Sequence, residues 1–123
     1  VERLNEQLDL TPVQMVNLML KAGEAIETAQ NELAEALPRE ADLHEVYIRA
    51  KAEAWRAVEG RSREEREAYV DDSARSARHD YERAVARSKA AMENVRNKRQ
   101  KLSALQSAAN SIKEEAALAR TSP

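Results

Sequence analysis

Two histidines, and a set of arginines and lysines around one tryptophan, are the side chains in this sequence of 123 residues whose types suggest chemistry. His44 and His79 lie 35 residues apart, yet the hairpin register derived below sets them nearly opposite one another. A metal or acid–base pair would need further ligands. Glu45 and Asp80 are adjacent in sequence and point elsewhere on a helix, and neither an i, i+4 ligand pair nor a His-Glu-x-x-His pattern is present. Both histidines therefore read as surface or seam-edge residues. The sequence has no Gly-rich phosphate loop, no Ser-His-Asp spacing and no carboxylate set on an inward helix face. The expectation is a non-enzyme with no catalytic residue, no cofactor and no metal.

Polyanion binding is the sharper chemistry. Arg49, Lys51, Arg56, Arg61, Arg63 and Arg66 surround Trp55, and interleaving cations with an aromatic ring suits a sequence-tolerant single-strand site, with charge for phosphates and a ring for bases. Within this group Lys51, Trp55, Arg56, Arg61 and Arg63 are the candidate contacts. A second basic segment adds Arg96, Lys98, Arg99 and Lys101. Each patch also has a structural reading. Glu53, Glu59, Glu64 and Glu65 dilute the first patch to a net of +2, and Trp55 can bury itself in an interface, while the second patch can pair with glutamates of another helix. Met15, Met19 and Met92 read as core filler rather than a peptide groove.

These residues must be positioned by helices. From Ser62 to Ala119 there is no glycine or proline, and thirteen of sixteen a and d positions of a heptad frame are apolar, from Val70 and Ala74 through Leu102 and Leu105 to Ala116 and Ala119. That pattern predicts one long helix over about 63–119, a rod of roughly 85 Å at 1.5 Å per residue. Upstream, Leu10-Thr11-Pro12-Val13-Gln14-Met15 is a complete helix start. Thr11 caps, Pro12 takes the first helical position, Gln14 closes a capping box and Leu10 staples onto Met15. The helix it opens repeats Met15, Met19, Ala22, Ile26, Ala29, Leu33 and Ala36 at spacings of four and three, and Pro38 ends or kinks it near Leu37. A second helix over about 40–59 carries Leu43, Val46, Tyr47, Ala50, Ala54, Ala57 and Val58 on one side and is closed by Gly60. Ser62 and Glu65 form another capping box, which confines the turn to about 60–62. Thr121-Ser122-Pro123 reads as a frayed end.

The expected fold is all-α: a single domain in which two shorter helices fold along one long helix as an elongated, coiled-coil-like antiparallel hairpin. Facing residues then have numbers summing to about 122. Between Arg75 and Lys101 nine basic residues stand against three acidic, a net of +6, and the chain total of -2 leaves -8 for the remainder. Glu24, Glu27, Glu32 and Glu35 fall opposite positions 98, 95, 90 and 87, so the acidic and basic stretches lie alongside each other. An alanine-rich seam buries little area, which predicts a homo-oligomer, a dimer or higher, through Ile48, Ala52, Trp55, Val85 and Met92.

Composition removes several classes. The chain has no cysteine, so disulfide frameworks and thiolate metal sites are excluded. No apolar run approaches the roughly 20 residues of a membrane span and no basic-then-apolar leader is read, so no membrane partner and a cytoplasmic location are expected.

The run Tyr47-Ile48-Arg49-Ala50-Lys51-Ala52-Glu53-Ala54-Trp55, then Glu59-Gly60-Arg61-Ser62 with Glu65-Arg66-Glu67-Ala68, leads into an Ala/Arg helix holding Arg96, Arg99, Leu102, Leu105 and Gln106. Over roughly Leu43 to Ala117 this resembles small all-helical phage and prophage proteins similar to the UvsY-type recombination mediators. The chain is less basic and poorer in aromatics than those mediators. The resemblance implies a nonenzymatic oligomer of the host cytoplasm that binds single-stranded DNA and helps load a recombinase. The rival expectation is a structural or adaptor coiled-coil protein that binds a host or virion protein.

Overall fold

The structure is a computed structural model that describes residues 10–121. Among the described residues the chain forms three helices and no strand: α1 (Pro12–Ala57), α2 (Arg63–Ser73) and α3 (Arg75–Thr121). It is an all-α helical hairpin, as the heptad pattern predicts. No helix among the described residues is long and apolar enough to cross a membrane.

The capping box at Thr11 forms in full, and at Ser62 only the N-cap half of the second one forms. Gln14 Oε1 accepts from the Thr11 N–H at 2.9 Å while the Gln14 N–H donates to Thr11 Oγ1 at 3.2 Å, so two donors at the start of α1 are satisfied reciprocally. Ser62 holds extended backbone and accepts from the Glu65 N–H at 3.3 Å, which starts α2. The turn between them is longer than the expected 60–62, because α1 ends at Ala57. Val58 is buried beneath the turn, and Gly60 takes φ +89°, a conformation open to glycine at little cost.

Two element boundaries differ from the sequence expectation. The separate helices at 11–37 and 40–59 are one helix, with Pro38 inside it. Proline removes a single donor, the one that would serve the Ala34 carbonyl; Ala34 and Pro38 are both exposed, so water can reach that carbonyl. Conversely, the helix expected over 63–119 is divided at Ala74, which sits at φ -95°, ψ 2°. The break is one residue deep. The Ala74 N–H still reaches Val70 O at 2.9 Å and the Arg78 N–H reaches Ala74 O at 2.9 Å, so the apolar frame carries straight across it. At the other end α3 runs on through Thr121, while Ser122 and Pro123 of the expected frayed end lie outside the described residues.

The chain divides into two compact units, Val1–Gln30 with Glu93–Pro123, and Asn31–Met92. In the first, Met15, Ala22, Leu105 and Ala108 form a buried cluster against which Leu10, Leu18, Met19, Leu102, Ala109 and Ile112 pack. Leu10 thus packs against the cluster that contains Met15. The last two seam alanines, Ala116 and Ala119, are exposed.

In the second unit Ala36, Ala54, Val58, Val70, Ala74 and Ala84 are buried, and Ser88 is the most enclosed side chain at 1% exposure. Ser88 occupies an a position of the heptad frame. Its Oγ donates to the Ala36 carbonyl at 3.4 Å, which places α1 and α3 in close approach there with small side chains on both. The contact is therefore governed by volume. Ser88→Ala should change stability by less than about 1 kcal/mol, since the bond is long and Ala36 O sits within a helix. Ser88→Leu should cost about 1–3 kcal/mol by forcing the helices apart. Urea denaturation of the two variants checks this, and equal midpoints would show that the approach is loose.

Candidate nucleic-acid interface

The expected binding residues fall in both units. In Asn31–Met92 the tip is organised by Arg66, whose guanidinium carbon lies 3.7 Å from the Trp55 ring centroid and whose Nη2 donates to the Trp55 carbonyl at 2.9 Å. The stack joins the end of α1 to α2 and covers one face of the indole. Trp55 is 38% exposed, so it is neither buried in a core nor bare on both faces. Around it Arg56, Arg61 and Arg63 are exposed. Arg56 Nε donates to Ala52 O at 3.3 Å, and Arg63 pairs with Glu67 at 3.1 Å. Lys51 holds its ammonium 5.0 Å from the Tyr47 ring centroid.

Beneath Lys51 runs an aromatic column that the sequence did not reveal. Tyr47 stacks with Tyr81 at 6.0 Å, and the His44 ring lies 4.7 Å from Tyr81 at a 40° tilt. His44 and His79 are both exposed, and His44 makes an aromatic contact with Tyr81. Among the described residues no three metal-ligating side chains come together.

Charge pairing departs from the expected register. Among the described residues the ion pairs are Glu45–Arg49, Glu67–Arg63, Asp72–Arg75 and Glu82–Arg78, all within three or four positions of sequence. None joins Glu24, Glu27, Glu32 or Glu35 of α1 to the basic stretch of α3. Exposed cross-helix pairs gain too little in water to fix two long side chains, so neighbouring stretches of opposite charge need not close into contacts.

What the first unit assembles is a cluster of like charge. Lys21 of α1 joins Lys98 and Lys101 of α3 along a groove of about 320 Å³ floored by Leu18, Ala22, Ala25 and Leu105. Among the described residues no carboxylate lines it. Lys21 and Lys101 are exposed and Lys98 is half-buried. Arg96 and Arg99 are exposed on the same stretch of α3. Lys21 was missed by reading basic residues as runs, although the register of 122 sets it opposite Lys101.

The five expected interface residues are accessible in the second unit. Ile48 is 50% and Met92 45% exposed, Ala52 is exposed and Val85 is half-buried; Trp55 carries Arg66 on its face.

Comparison of the chain with known protein families, curated proteins and solved structures finds no match.

Proposed function

We propose that this chain is a nonenzymatic, phage-type accessory protein of DNA recombination or replication that binds single-stranded DNA as a homo-oligomer. The observation that carries the reading is the convergence of Lys21, Lys98 and Lys101 on one groove, with no carboxylate among the described residues of its lining. Three ammonium groups so placed repel one another, and a phosphate backbone relieves that repulsion while releasing its own counterions. The apolar floor accepts sugar and base faces without selecting among them, which suits a sequence-tolerant strand. At the tip, Arg56, Arg61 and Arg63 supply further cations, and the uncovered face of Trp55 supplies a stacking surface. Each patch alone is weak, and repetition over several copies on one strand multiplies their effect. The role in recombinase loading follows the resemblance to UvsY-type mediators.

Fluorescence anisotropy of a labelled oligonucleotide tests this. Binding is expected to fall linearly in log affinity with log salt, at about 0.7 per phosphate contacted. Absence of binding at low salt removes the reading and leaves the adaptor hairpin, which captures a protein instead.

A further inference from the structure

We infer that Arg66 is the positioning residue of the tip: it fixes the Trp55 indole as a platform with one open face, on which a base of single-stranded DNA stacks. The inference rests on the proposed function and deepens it. It gives Arg66 a role other than the phosphate contact that its charge suggests.

Trp55 lies in the last turn of α1 and Arg66 in the first turn of α2. Both backbones are held before the side chains meet. Val58 is buried beneath the turn between them, and the Arg66 N–H donates to Ser62 O at 2.9 Å, inside the cap that starts α2. The guanidinium carbon then sits 3.7 Å from the indole centroid, well inside the roughly 6 Å within which a cation is drawn to a ring face. Nη2 donates to the Trp55 carbonyl at 2.9 Å, so one side chain grips both the ring and the backbone of the same residue.

The same contacts withdraw Arg66 from a ligand. A guanidinium takes a phosphate through two parallel N–H groups, and here the Nε–Nη2 edge is enclosed at one nitrogen and bonded at the other. Among the described residues Arg66 makes no ion pair with a carboxylate, so its charge is directed at the indole. Trp55 keeps 38% of its surface accessible with one face covered, and Arg56, Arg61 and Arg63 around it are exposed. The roles divide accordingly: the exposed cations serve phosphates, the indole serves a base and Arg66 holds the indole. An aromatic side chain that is not held must be ordered when a base stacks on it, and prearrangement removes that cost, about two- to tenfold in affinity. Lysine cannot take over this role, because an ammonium has no planar fork to bond the carbonyl while stacking on the ring.

Trp55 is the one tryptophan of the sequence, so its emission reports this ring alone. The test titrates a labelled oligothymidylate into the full chain and into Arg66→Lys, Arg66→Gln, Trp55→Ala and Trp55→Ala/Arg66→Lys variants, following Trp55 emission and oligonucleotide anisotropy over a range of salt. Binding is expected to quench wild-type emission, and Trp55→Ala to weaken binding about five- to a hundredfold. Arg66→Lys and Arg66→Gln should each weaken it about two- to tenfold, with the salt slope of Arg66→Gln unchanged and no further effect of Arg66→Lys once Trp55 is alanine. Wild-type affinity in Arg66→Lys together with a slope flattened by about 0.7 in Arg66→Gln would make Arg66 a phosphate contact and overturn the inference. So would wild-type affinity in both variants, or a loss that persists in the Trp55→Ala background, which marks a damaged turn. A wild-type chain that binds no oligonucleotide removes the proposed function and this role with it, whereas a strand bound with indifference to Arg66 removes this role alone.

Discussion

Replacing Lys21, Lys98 and Lys101 together with glutamine is expected to weaken single-stranded DNA binding several-hundred-fold at about 50 mM salt and about thirtyfold at about 200 mM. Each phosphate contact on a single strand contributes about 0.7 to the slope of log affinity against log salt, so three lost contacts flatten the slope by about 2. The convergence of the two curves at high salt distinguishes lost phosphate contacts from a damaged fold, which would lower affinity at every salt concentration alike. Folding should survive the change. The three lysines share a groove with no carboxylate among the described residues of its lining, and removing their mutual repulsion is neutral or stabilising. A parallel variant with Arg56, Arg61 and Arg63 changed to glutamine locates the main contact. If the tip variant loses binding and the groove variant keeps it with an unchanged slope, the lysine groove is not the site.

Replacing Pro38 with alanine is expected to raise stability by about 3 kcal/mol, the difference between proline and alanine inside a helix. Pro38 lies within α1, where it denies the Ala34 carbonyl its donor; both residues are exposed, so alanine restores that bond without disturbing a packed contact. The midpoint in urea should rise with an unchanged slope, because the surface exposed on unfolding stays the same. An unchanged or lowered midpoint would mean that α1 is interrupted near Leu37 after all, since alanine confers this advantage only where helical geometry runs through the position.

The buried face of the chain was largely legible. Met15, Ala22, Ala29 and Ala36 recur every seven residues and are all buried, and Met19, Ile26 and Leu33 between them are half-buried. On the other arm the frame from Val70 to Ile112 is buried or half-buried throughout. A helix repeats its faces by geometry alone, so periodicity identifies the side that will meet a partner. The caps were legible for a similar reason: Thr11 with Gln14 and Ser62 with Glu65 act over three residues and need no tertiary context.

The candidate site was legible only in part. Lys98 and Lys101 stood out as members of a basic run, but Lys21 is a lone cation between Leu20 and Ala22, and only alignment of two arms brings it to them. Trp55 was recognised as an aromatic among cations, whereas its occupation by Arg66 depends on the path of the turn and on the orientation of two long side chains.

The sequence by itself determined the helical class, the cap positions and which side of each arm turns inward, because these rest on local backbone geometry and on a period of about 3.6 residues. The tertiary structure decided that Pro38 stays within one helix, that oppositely charged stretches lie near each other without closing into pairs, and that lysines from both arms line one groove. Those outcomes turn on small differences between solvation and contact. A proline costs about as much as one or two side-chain burials, and an exposed ion pair is worth less than about 1 kcal/mol, so the packing around each one settles them.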